Sequence, residues 1–155
     1  GPVQNEKQFR IVEALASAAR AEGGDFIIGG NRKSGPGYFY EPTIVTGLTN
    51  GSRLVDEEPF GPIVPMIKVS NIDEAISLAN DSDYGLGGSV WSADLAQATQ
   101  VAARMECGTT WINEHGEIRP DVPFGGVKQS GFGVEFGVYG LEEFTHIQTL
   151  KVLKQ

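Results

Sequence analysis

From Glu6 to Ala21 the apolar residues Phe9, Ile11, Val12, Leu15, Ala16 and Ala19 recur at spacings of three and four. That period predicts an amphipathic helix with one face turned inward, and Gly23 and Gly24 predict its end. DFIIGG then reads as a short buried strand, NRKSGPG as a polar loop, and GYFYEPTIVTGL as a longer strand that Pro42 sets at an edge or a bend. IVPMIKV, from Ile63, is strand-like. SNIDEAISLANDSDYG reads as a helix that Ser70 or Asn71 caps, with Glu74 placed for a capping box. GGSVWS reads as strand, ADLAQATQVAARMECG as helix and GTTWINE as strand. GLEEFTHIQTLKVLKQ reads as a short helix followed by a strand. Alternation of strand and helix through the middle predicts an α/β class, with an open, mostly parallel sheet flanked by helices. Residues 113 to 137 are too long and glycine-rich for a tight connection, and Phe124, Phe132 and Phe136 predict an ordered functional loop.

Composition narrows the function. The 155 residues suffice for one folded unit with its own core. Twelve Lys and Arg against twenty Asp and Glu leave a formal charge of -8, which disfavours nucleic acid and anionic membrane partners. No apolar run approaches the roughly 20 residues of a spanning helix, and the first residues show no signal-peptide pattern. The expected location is the cytoplasm. A single cysteine, Cys107, agrees with a reducing compartment. The chain opens on Gly1 rather than Met, which is read as a processed or partial form of a longer polypeptide. Its 21 glycines are about twice the usual share of roughly 7% and fall in pairs and in GFGVEFG, so tight turns are expected rather than a linker.

Several chemistries are weighed against plainer readings. Cys107 sits where the reading ends a helix, and a helix C-terminus raises a thiol pKa, so a structural thiol is expected and not a nucleophile. His115 stands among Glu114, Glu117 and Asp121, but the spacing matches no metal-ligand pattern, and no metal is expected. His146 reads as packing or surface. SGFGVEFG misses the dinucleotide fingerprint by one position, and GGNRKSGPG lacks the register of a phosphate loop. The stretch VDEEPFGPIV, residues 55 to 64, admits two readings. Glu57 and Glu58 are two solvated acids before a turn, or one is a carboxylate held at a proline-stiffened corner to accept hydrogen bonds from a diol while Phe60 offers its ring to a planar heterocycle.

EEPFGPIVP, AISLANDSDYGLGGSVWS, GTTWINEH and PFGGVKQSGFGVEFGVYGLEEFT, in this order and spacing, resemble the C-terminal part of the NAD(P)-dependent aldehyde dehydrogenase family. The resemblance covers essentially the whole chain. It implies that Glu58 binds the nicotinamide ribose hydroxyls of NAD or NADP and that Phe60 supports the nicotinamide ring. It implies that Phe124 lines the aldehyde pocket and that the loop from Glu114 to Val122, His115 included, varies with substrate. Residues 1 to 145 then form part of a catalytic domain, and 146 to 155 a strand that joins subunits into a homo-oligomer. The family's reaction uses a cysteine thiolate to form a thiohemiacetal, hydride transfer to NAD(P)+ and hydrolysis of a thioester. Cys107 does not match that cysteine, so no catalytic residue is expected here and the isolated chain is expected to be inactive. Pro59 and Val134 depart from the family's usual residues, the first stiffening the corner and the second removing an ion pair. The competing expectation is a stand-alone interaction module that assembles through its terminal strand.

Overall fold

The computed structural model describes residues 1 to 154. The chain forms two compact units, Gly1–Asn71 and Ile72 onward, and not the one folded unit expected from its length. The reason is visible in the first unit, whose apolar core is complete within itself.

Helix α1 (Glu6–Ala21) has the bounds its periodicity predicts. The Asn5 side chain caps it by accepting the Gln8 N–H at 2.8 Å, and Gly23, with φ of 86°, closes it. Phe9, Val12, Leu15, Ala16 and Ala19 are buried, whereas Ile11, expected to point inward, lies at the exposed margin of that face. They pack on one face of a three-stranded sheet of β1 (Asp25–Ile28), β2 (Thr43–Thr46) and β3 (Ile63–Pro65). β1 runs antiparallel to β2, and β2 parallel to β3. Thr43, Val45 and Ile63 are buried, with Phe26 packed against the same core.

Three strand expectations are corrected by the structure. β1 is not buried, because it is an edge with a bulge between Phe26 and Ile28, and Ile27 and Ile28 remain exposed. The long strand read from Gly37 onward is only Thr43–Thr46, and IVPMIKV is only Ile63–Pro65. Pro42 interrupts the first, and Tyr40 forms an isolated bridge to Arg32 instead. A single turn of helix, α2 (Arg53–Asp56), separates β2 from the corner before β3.

The second unit starts with α3 (Ile72–Asn80) and continues through β4 (Tyr84–Gly85), β5 (Gly87–Val90), α4 (Leu95–Ala102), β6 (Thr109–Ile112), β7 (Val127–Lys128) and α5 (Gly137–Glu142). β5 and β6 pair in parallel, while β4 and β7 pair antiparallel. The α/β class is therefore as read, with the strands distributed over three small sheets instead of one and antiparallel pairs as frequent as parallel ones. Helix α4 stops at Ala102, short of the expected Gly108. The reason is Asn80, whose side chain donates to Arg104 O at 2.8 Å and accepts from Glu106 N at 2.9 Å, holding that backbone in a turn.

The 113 to 137 segment is ordered, but not through its aromatics. Phe132 is fully exposed, and order comes from β7 and from paired hydrogen bonds between Phe124 and Glu135 at 2.8 Å each. Among the described residues, 146 to 154 pair with no strand, so the terminal strand read there does not form within the single chain. Gln155 lies outside the described residues.

Candidate functional site

The corner after α2 assigns different partners to three consecutive carboxylates. Asp56 accepts the Gly51 N–H at 3.0 and 3.2 Å. Glu57 accepts both Nε and Nη2 of Arg53, at 2.6 and 3.0 Å. The Arg53 guanidinium holds the Glu57 carboxyl below the usual carboxylate range. Glu58 is exposed and has no hydrogen-bond or ion-pair partner among the described residues.

Beside it, Phe60 combines two costly features. Its backbone is left-handed, with φ of 41°, and its ring is 73% exposed. A left-handed residue other than glycine costs about 1–3 kcal/mol and persists only where its surroundings over-determine it. Here those surroundings are tight. Gln8 of α1 donates Nε2 to the Pro59 carbonyl at 2.6 Å, and Thr43 N donates to Pro62 O at 2.8 Å. Gly61 lies so close to α1 that a Cβ on it would meet Val12 Cγ2 at 2.3 Å. An unpaired acid and a displayed ring two residues apart therefore stand on a stiff support.

In the second unit, Trp111 on β6 donates its indole N–H to Glu117 O at 2.9 Å, which ties the following loop back over its own strand. A cavity of about 300 Å3 opens beneath this loop, walled by Trp111, Glu114, Glu117, Val122 and Phe124 among others. Phe124 also borders a second, glycine-rich cavity of about 420 Å3 with Phe132 and Phe144. His115 is exposed and rests against Trp111, ring centroids 5.2 Å apart, without lining either cavity. Glu114 is pushed above the usual carboxylate range, first by the charge of Glu117. Arg119 is chelated by Asp121, Nε to Oδ1 at 3.0 Å and Nη2 to Oδ2 at 2.8 Å, so its charge is spent locally.

Cys107 is not at a helix end as expected. It lies beyond α4, half-buried, donating to Thr109 O at 3.2 Å and within 3.2 Å of Thr110 Oγ1. Among the described residues no group of three or more His, Cys, Asp or Glu is placed to hold a metal ion, and no helix is long and apolar enough to cross a membrane.

Reading the sequence missed Gln8, Arg53 and Trp111. The Arg53 to Glu57 spacing of four within RLVDE was a legible signal that Glu57 is occupied. Nothing local marks Gln8, which acts 51 residues away.

The chain is of the α/β class, with an acidic corner in its first unit and a cavity walled by Trp111 in its second. The family model described as "Aldehyde dehydrogenase family" matches residues 1–150, and the chain belongs to that family. It is 43% identical over 150 residues to an aldehyde dehydrogenase of Paenarthrobacter nicotinovorans, covering 97% of this chain and 33% of that protein. A succinate-semialdehyde dehydrogenase [NADP(+)] of Deinococcus radiodurans is 44% identical, over 94% of this chain and 31% of its own. Among solved structures, betaine aldehyde dehydrogenase from Staphylococcus aureus in complex with NAD+ superposes with a TM-score of 0.88 at 42% identity. That match covers 93% of this chain and 29% of the other. The chain thus spans about a third of the length of the relatives it matches.

Proposed function

We propose that these residues supply one side of the nicotinamide-ribose cradle, and part of the aldehyde pocket, to an NAD(P)-dependent aldehyde dehydrogenase. The observation that carries the reading is the division of labour at the corner. Of three adjacent carboxylates only Glu58 keeps its acceptors free, and it stands two residues from a displayed aromatic ring. Two carboxylate oxygens match the two hydroxyls of a ribose, and a ring face matches a planar heterocycle. The residues present fit the group.

When bound, the nicotinamide accepts the hydride released as an aldehyde becomes a carboxylic acid. Glu58 orients the sugar, Phe60 supports the attached ring, and Phe124 with Trp111 forms an apolar wall for the aldehyde. His115, set on the outer side of Trp111, belongs to the variable loop of that pocket and bears on substrate choice. Cys107 does not match the family's nucleophilic cysteine, and its thiol donates to Thr109 O. The attacking thiolate is therefore contributed by sequence outside these 155 residues, and the isolated chain is silent.

The test is kinetic and uses the full-length gene product. Glu58→Gln should raise the KM for NAD+ or NADP+ by about 10- to 100-fold, the worth of hydrogen bonds to a charged acceptor, while Glu57→Gln leaves it within about twofold. Equal effects of the two variants refute the assignment. Absence of aldehyde-dependent NAD(P)H formation by the unmodified gene product refutes the function itself. Steady NAD(P)H formation by the 155-residue chain alone refutes its silence.

A second reading, a self-associating module, draws on the exposed Ile147, Leu150, Val152 and Leu153, which leave an apolar tail open to pair with another copy. Removing residues 146 to 155 should then lower the mass in solution. An unchanged mass rejects strand exchange as the basis of assembly.

A further inference from the structure

We propose that Gln8 is a positioning residue for the Glu58 and Phe60 pair, holding the strained peptide that aims the ring; this rests on the cofactor-cradle reading above. The backbone angle φ of Phe60 is set by the orientation of the peptide that joins it to Pro59. The oxygen of that peptide accepts from a single donor among the described residues, Gln8 Nε2, at 2.6 Å. Rotating the peptide toward the relaxed extended region would swing this oxygen away from the helix and break the bond.

The neighbouring anchors do not replace it. Glu57 is fixed through Arg53 on one side of the corner, and Pro62 through Thr43 on the other. Between them Gly61 is pressed against Val12, which fixes the position of the chain but not the plane of the preceding peptide. Gln8 is itself held. Its N–H is bound by the Asn5 cap at 2.8 Å and its side chain is half-buried, so it approaches Pro59 from a fixed point on α1. The first turn of one helix therefore sets the geometry of a pair more than fifty residues further on.

The test has two readouts. In the isotopically labelled 155-residue chain, the Cα and Cβ shifts of Phe60 report whether its backbone stays left-handed. Gln8→Met keeps the length and removes the donor, and it should move those shifts toward extended values; Gln8→Lys restores a donor and should return them. In the full-length gene product, Gln8→Met should raise the KM for NAD+ about 2- to 10-fold, the range of one lost net hydrogen bond, with kcat changed by less than about twofold. If Gln8→Met does not fold, Gln8→Glu, which sets an acceptor against the carbonyl, carries the same two readings. Unmoved Phe60 shifts, or an unmoved KM, overturn the proposal even where the melting temperature falls. A gene product that oxidises no aldehyde removes the functional reading, while the Phe60 shifts still decide whether Gln8 holds the corner.

Discussion

Glycine 61 shows how closely the corner is fitted to the helix behind it. Its missing Cβ would stand 2.3 Å from Val12 Cγ2, a fully buried atom group with no room to retreat. Gly61→Ala should destabilise the first unit by about 1–3 kcal/mol, measurable by urea unfolding, because the added methyl must push the corner off α1. In the second unit the Glu114 and Glu117 carboxylates act against each other. The folded state holds the Glu114 pKa above its unfolded value, so its ionisation opposes folding. That penalty is absent below the unfolded carboxylate pKa and complete above the raised folded one. Glu114→Gln should therefore stabilise the chain at neutral pH, with the gain disappearing as the pH falls through the carboxylate range. Thermal melts at a series of pH values would check this, and a pH-independent difference would contradict it.

Helix α1 is the element on which the first unit depends. It supplies Phe9, Val12, Leu15, Ala16 and Ala19 to the core and Gln8 to the corner. Leu15 is fully buried, and Leu15→Ala should cost about 2–5 kcal/mol in the same unfolding measurement. Asn5→Ala removes the cap that binds the Gln8 N–H and should cost about 1 kcal/mol. If Gln8 transmits the position of this turn, Asn5→Ala should also shift the Phe60 signals, unlike a loss of equal size placed at Ala19. The turn that leads into β6 depends on close approach to the PFGG segment instead. A Cβ on Gly108, just before β6, would overlap the Gly125 carbonyl of the PFGG turn at 1.6 Å, so that position admits glycine alone.

At the scale of the molecule the two units are unequally buried. The continuous apolar core lies wholly within residues 3 to 63, whereas Ile76 and Ala98 are the buried hydrophobic residues of the second unit. The second unit leaves Trp91, Phe132, Val138, Tyr139, Leu141 and Phe144 largely exposed. Burial of apolar area is the main favourable contribution to folding, so the second unit has less to offset its chain entropy. Amide hydrogen exchange on the 155-residue chain should find β2 protected to the global limit and β5 and β6 exchanging sooner. Uniform protection across both units would contradict this.

What the amino-acid sequence determined by itself was local. The bounds of α1, the existence and type of most elements, the acidic corner and the family are written in periodicity, turn residues and ordered motifs. These depend on neighbours a few positions away, and a linear reading reaches them. Strand length was not legible in the same way, because Ile27 and Ile28 carry strand propensity whether or not a second layer covers them. Glu58 was singled out by the ordered motif, and the Arg53 spacing of four accounts for Glu57. Asp56 and Glu57 take local partners, Gly51 five residues and Arg53 four residues away, whereas tertiary structure decided that Gln8 holds the Pro59 carbonyl. It also decided the left-handed turn at Phe60, since a strained backbone is maintained only by contacts that converge from distant positions, here Gln8, Val12 and Thr43.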